Sequence, residues 1–192
     1  MAKVNFKGGA LLAPLPPVLV SCGSEEDGDM NIMTVAWTGI LNTQPPKTYI
    51  SVRPSRHSYG IIKKNKEFVL NLTTASLVRA ADYCGIYTGE KVNKFEKCRL
   101  TPERAQIVRA PLIAESPLSI ECRVTDIVPL GTHDMFIADI VSVSVSEEII
   151  DEKGRICLDR AELAAYAHGE YFALGRKLGT FGFSAKKKKR KR

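Results

Sequence analysis

Residues 51–58, S-V-R-P-S-R-H-S, place two arginines and three serines immediately before a helical pattern, Y-G-I-I-K-K. Arg53 and Arg56 can pair with phosphate oxygens, and Ser55 and Ser58 can donate hydroxyl hydrogen bonds to them. The start of a helix adds unpaired N–H groups and the positive end of the helix dipole. Upstream, Trp37 has the area and flat face to line an aromatic slot. Together these residues describe a site for a flat, anionic ligand. The same types also suit a solvated turn and a core indole, and the residues alone leave both readings open.

The elements that must position these groups read mostly as strands. V-L-V-S-C after Pro17 forms a short strand, and the acidic turn G-S-E-E-D-G-D (23–29) leads by a hairpin into a strand over 31–41. In that strand Met33, Val35, Trp37 and Leu41 share one parity, with Thr34, Ala36 and Thr38 on the other. A turn at 44–47 precedes a strand over 48–53, a helix over 59–65 and a strand over 67–72, where Phe68, Leu70 and Leu72 alternate inward. A helix follows over 75–83. The stretch 85–114 lacks sustained periodicity and is expected to leave the scaffold and cover a site. Two long alternations, Leu118 to Val128 and a second ending in Val141, Val143 and Val145, flank a turn at 129–132. The pattern predicts a mainly β fold with peripheral helices, in which an antiparallel sheet forms a barrel.

The 192 residues suit one domain, expected over 1–184, followed by a disordered basic tail over 185–192. Net charge is +7, but the run 186–192, K-K-K-K-R-K-R, holds seven of the 28 basic residues. The remaining 21 equal the 21 acidic residues, so the body is formally neutral. Seven adjacent like charges cannot bury apolar surface and repel one another. Such a tail serves solubility, or attracts polyanions in a salt-sensitive, sequence-independent way. No nucleic-acid partner is expected beyond that. Five widely spaced cysteines without a C-x-x-C pair argue against a structural metal site, so none is assigned. The N-terminus lacks signal-peptide order, and Pro14, Pro16 and Pro17 interrupt its apolar run well short of a membrane span. A cytoplasmic, thiol-reducing setting follows.

N-I-M-T-V-A-W (31–37), Y-I-S-V-R-P-S-R-H-S-Y (49–59) and E-F-V-L-N-L (67–72) occur in an order and spacing that closely resemble the flavin reductase-like family. The later segments Y-T-G-E-K-V-N-K-F (87–95), G-T-H-D-M-F-I (131–137) and Y-A-H-G-E-Y-F-A-L-G (166–175) agree, and the likeness runs from about 13 to 184. Members of that family bind FMN in a split β-barrel and usually work as homodimers. The resemblance implies that Asn31, Met33, Thr34 and Trp37 border the isoalloxazine, and that Ser51, Val52 and Arg53 continue this wall toward the phosphate. Ser55 and Ser58 then grip the phosphate, with His57 in the same loop. Asn71 sits near the ribityl chain or ring, Lys94 brings positive charge from the covering loop, and Tyr166 packs by the flavin, with His168 on the same flank. His133 is implied as the catalytic residue, near the flavin face where a nicotinamide or other donor approaches.

The resemblance implies an oxidoreductase that moves electrons from NAD(P)H through bound FMN, rather than FAD, to free flavin, ferric iron or a redox protein. The alternative is a flavoredoxin-like electron carrier without its own NAD(P)H oxidation; a third is a polyanion binder acting through the tail. No G-x-G-x-x-G is present, so NAD(P)H would bind against the flavin and not in a dinucleotide fold. Cys84 precedes the covering loop, but without a partner cysteine at short spacing a flavin–disulfide relay is not expected.

Overall fold

The computed structural model describes residues 1–185. In chain order the main elements are β1 (Val18–Cys22), β2 (Asn31–Val35), β3 (Thr38–Thr43), β4 (Pro46–Val52), α1 (His57–Asn65), β5 (Glu67–Leu72), α2 (Val78–Ile86) and α3 (Lys94–Cys98). They continue with β6 (Pro102–Glu103), β7 (Leu112–Ile113), β8 (Leu118–Pro129), β9 (Asp134–Val145), β10 (Ala164–Ala167) and β11 (Glu170–Ala173). Seven strands form one antiparallel sheet in the order β2-β1-β5-β8-β9-β4-β3. The chain is mainly β with few helices, as expected, but the sheet is not a closed barrel. Its two edge strands, β2 and β3, follow each other in sequence across Ala36 and Trp37 and form no ladder together. One physical reason lies at β2, where helices cover the edge and the Lys94 ammonium donates to the Ile32 carbonyl.

That crossing also corrects the single strand expected over 31–41. Met33 and Val35 are buried in the interior cluster, whereas Trp37 is 45% exposed and Leu41 46% exposed. The chain turns between the two pairs, so their shared parity does not mean a shared face. The expected helix starts also shift: α1 begins at His57 instead of Tyr59, and α2 at Val78 instead of Ala75. Pro54 explains the first, because it holds Arg53 extended and ends β4, freeing the next residues to start a helix.

The strands β1 and β5 are covered on both faces. Val18, Val20, Phe68 and Leu70 join Ile50, Val52, Ile62, Cys122 and Phe136 in one cluster. On the other face, Leu19 and Ile32 pack with Leu77, Ala81, Cys84, Phe95 and Ile113 beneath α2 and α3. Val69 packs with Ala105, Val108, Ala110 and Leu112. The near-continuous apolar runs of β1 and β5 follow from this double covering, each buried large side chain being worth about 1.5–3 kcal/mol. Residues 85–114 therefore do more than cover a site, since 100–113 supply core for the outer face of the sheet. Glu121 pins this segment. Its buried carboxylate accepts from the backbone N–H groups of Gln106, Ile107 and Val108 at 2.7–3.0 Å.

The expected tail over 185–192 lies, apart from Ala185 in a short turn over Phe183–Ala185, outside the described residues. Among the described residues no helix is long and apolar enough to cross a membrane.

Candidate functional site

Two strand registers assemble one wall of a cavity. Thr38 pairs with Ile50 across β3 and β4, and just beyond it the Trp37 carbonyl accepts from the Ser51 N–H at 2.9 Å. On the other side of β4, Ser51 pairs with Met135 and Val52 with Asp134. Extending that register one step sets Arg53 across from His133. Ser51, Val52, Trp37 and His133 therefore come together although they span nearly a hundred residues. The Trp37 and His133 rings lie almost parallel, 12° between planes and 6.4 Å between centroids. His133 closes the β8–β9 hairpin through its carbonyl, which accepts from the Leu130 N–H at 2.9 Å, and Gly131 meets the turn's need for positive φ at +96°.

The cavity these residues open into has a volume of about 570 Å³, within the range of small-molecule sites. Arg53, Ser55, Arg56, His57 and Ser58 line it around the N-terminus of α1. No side chain caps this helix and its first turn holds no acidic residue, so the dipole end is available to an anion. Asn31 Nδ2 donates to Ser58 Oγ at 2.7 Å, joining the start of β2 to this helix. Tyr59 Oη donates to Asp134 Oδ2 at 2.6 Å and joins the helix to β9 beside His133. The cavity is also lined by the aromatic side chains of Trp37, His133, Tyr166 and Tyr171. Of the cavity's ionised groups among the described residues, Arg53, Arg56 and Lys94 are cationic and Asp82 is the one carboxylate.

Burial, reinforced by the Arg53 and Arg56 guanidinium groups, holds the His133 imidazole below its ordinary range. Neutral imidazole is therefore its form at physiological pH. Burial also lowers the Lys94 ammonium. That group is not a mobile charge on a loop, contrary to expectation. It opens α3, is 3% exposed, and donates to the carbonyls of Ile32 at 2.7 Å and Cys84 at 3.0 Å.

Twelve of the thirteen expected site residues line this cavity: Asn31, Met33, Thr34, Trp37, Ser51, Val52, Arg53, Ser55, Ser58, Lys94, His133 and Tyr166. Asn71 does not. It is fully buried in β5, between β1 and β8, where Nδ2 donates to Leu19 O and Ser21 Oγ and Oδ1 accepts from Ile113 N and Ser119 Oγ. Its hydrogen-bonding capacity is spent inside the protein, because β5 is a central strand with both faces covered. His168 does not line the cavity itself; it sits in the β10–β11 turn, on an adjoining apolar groove that shares Trp37 and Tyr166 with the cavity.

Several wall residues escape sequence reasoning, among them Asp82, Gly89 and Tyr171. Gly89 sits so close to Asn31 that a Cβ there would fall 2.1 Å from Oδ1. Tyr171 had a readable signal. His168 and Gly169, with φ of +51° and +93°, form the two-residue turn of a hairpin in which Tyr166 faces Tyr171.

Comparisons with known proteins agree with this arrangement. Residues 12–175 match the model of the flavin reductase like domain. The chain belongs to the flavin reductase-like family. Flavoredoxin of Desulfovibrio vulgaris (Miyazaki F) is 31% identical and superposes with a TM-score of 0.89 over 96% of this chain and all of that one. An uncharacterized protein of Archaeoglobus fulgidus is 32% identical over 74% of this chain and 78% of its own. An NADPH-flavin oxidoreductase of Streptomyces viridifaciens is 24% identical over 72% of this chain and 68% of its own. The family is one of flavoproteins, oxidoreductases among them.

Proposed function

We propose that this chain binds FMN in the cavity described above and acts as an oxidoreductase, taking electrons from NAD(P)H and passing them to free flavin, ferric iron or a redox protein. One observation carries the reading: a single cavity joins an uncapped helix N-terminus with two arginines and two serines to a flat aromatic wall. A phosphate and a planar heteroaromatic ring are complementary to those two groups of residues. Two arginines and two serines gathered at one helix start favour a terminal monophosphate over the pyrophosphate of FAD.

Arg53, Arg56, Ser55 and Ser58 hold the phosphate, and the Asn31 amide bonded to Ser58 keeps that hydroxyl oriented. Met33, Thr34 and Trp37 border the ring, with Ser51 and Val52 between ring and phosphate and Tyr166 on the far wall. Thr34 is itself fixed by donating its hydroxyl to the Ala81 carbonyl. Bound flavin supplies hydride acceptance from a nicotinamide and onward transfer of one or two electrons. His133, held neutral, orients the donor beside Trp37 and can accept or donate a hydrogen bond without adding charge. We assign the working form as a cytoplasmic homodimer. The likeness to flavoredoxin favours one alternative on the same site, an electron carrier reduced by a protein donor and not by a nicotinamide.

Incubation with excess FMN followed by gel filtration should leave protein with flavin absorbance, and anaerobic NADH or NADPH should bleach it. Colourless protein would overturn FMN binding. Bound flavin that neither nicotinamide bleaches, but a low-potential protein donor does, would replace the reductase with the carrier.

A further inference from the structure

Cys84, near the end of α2, and Cys98, at the end of α3, are 14 positions apart in sequence, yet their Sγ atoms stand 3.8 Å apart. Both are free thiols. Cys84 is buried and lines the cavity, while Cys98 is half-buried and so reachable from outside. A disulfide has an S–S length of about 2.05 Å, so a closure of less than 2 Å, shared between two side chains, separates the pair from a covalent bond. The chain between them is the covering loop. Gly85, Tyr87 and Gly89 line the cavity, and Lys94 ties the loop's far end back to Cys84 and Ile32.

We propose that Cys84 and Cys98 form a redox-active dithiol, which a hydroperoxide oxidises to a disulfide that staples the covering loop over the cavity. The Cys98 thiolate attacks the outer peroxide oxygen and the O–O bond breaks. The alkoxide takes a proton and leaves as alcohol, and Cys98 becomes a sulfenic acid. Cys84 sulfur then attacks the Cys98 sulfur: the S–S bond forms, the S–O bond breaks, and hydroxide leaves as water with the Cys84 proton. The pair gives up two electrons and the hydroperoxide takes both. Burial pushes the Cys84 thiol up to about 12 and raises Cys98 as well, with the Cys84 hydrogen bond and the Lys94 ammonium pulling Cys98 back. The thiols are therefore mostly protonated at neutral pH, and oxidation accelerates as pH rises. A cross-link made this way in a reducing compartment is transient.

The test treats the purified full chain with hydrogen peroxide, quenches with acid, alkylates in denaturant and maps peptides by mass. A Cys84–Cys98 linked peptide should appear with the loss of two hydrogens. Amide exchange across 85–93 should slow by about tenfold or more, and dithiothreitol should reverse both. Cys98→Ser, placed at a half-buried position to preserve folding, should show neither change, with near-ultraviolet circular dichroism confirming its fold. Both cysteines remaining alkylatable, Cys98 passing to sulfinic acid unlinked, or linkage to Cys22, Cys122 or Cys157 would overturn the dithiol. A Cys84–Cys98 link that leaves exchange across 85–93 unchanged would overturn the staple. Neither readout uses flavin, so a failure to bind FMN leaves this test standing.

Discussion

Asn31 and Ser58 meet at 2.7 Å, side chain to side chain, where the first residue of β2 reaches the first turn of α1. This bond joins the strand that would flank a ring to the helix that would hold a phosphate. Gly89 then closes over the same amide, with no room for a methyl group.

The crowding at Gly89 makes a sharp test. Gly89→Ala should lower stability by about 1–3 kcal/mol, the usual cost of overpacking, and weaken FMN binding by displacing the Asn31 amide. In an Asn31→Ala background the added methyl has space, and the same change should cost much less. Denaturant melts of the four proteins measure this coupling. Equal costs in the two backgrounds would show that Gly89 and Asn31 do not touch in solution.

His133 should titrate below an ordinary histidine, because burial and then Arg53 and Arg56 disfavour its charged form. Removing one neighbouring cation by Arg53→Gln should move that pKa upward. The sign for stability follows from the same shift. The unfolded chain binds this proton more readily, so the contribution is present above the unfolded pKa and is lost as pH falls through the folded one. Ring-proton NMR titration of both proteins decides it, and an unmoved or lowered pKa in the variant contradicts the assignment.

Asn71 supports the sheet and not the cavity. Asn71→Ala should lower stability on the order of 3 kcal/mol, since four buried hydrogen bonds lose their partner. Any FMN bound by the still-folded fraction should be held with unchanged affinity. Thermal melts combined with flavin titration separate the two effects, and a large affinity loss without destabilisation would return Asn71 to the site.

Glu121 makes a parallel case outside the candidate site. Glu121→Gln should cost about 2–4 kcal/mol, because an amide offers one acceptor oxygen and turns its NH₂ toward the N–H groups of residues 106–108. Amide exchange in 104–109 should quicken first. A variant as stable as the parent would mean the carboxylate does not hold this segment.

The sequence by itself determined the local pieces. Alternation marked β5, β8 and β9, because a side chain's face in a strand depends only on parity. The arginines and serines of 53–58 marked a helix start suited to an anion, because that chemistry is carried by adjacent residues. Motif order supplied the family. Tertiary structure decided what depends on partners distant in sequence. It split 31–41 at Ala36, buried Asn71 between two layers and committed the Lys94 ammonium to two carbonyls. It also brought Cys98 to Cys84. Parity tells which residues share a face of a strand, but not whether a second layer covers the other face or which sulfur waits across a helix. Those outcomes are fixed when the sheet and its helices pack together.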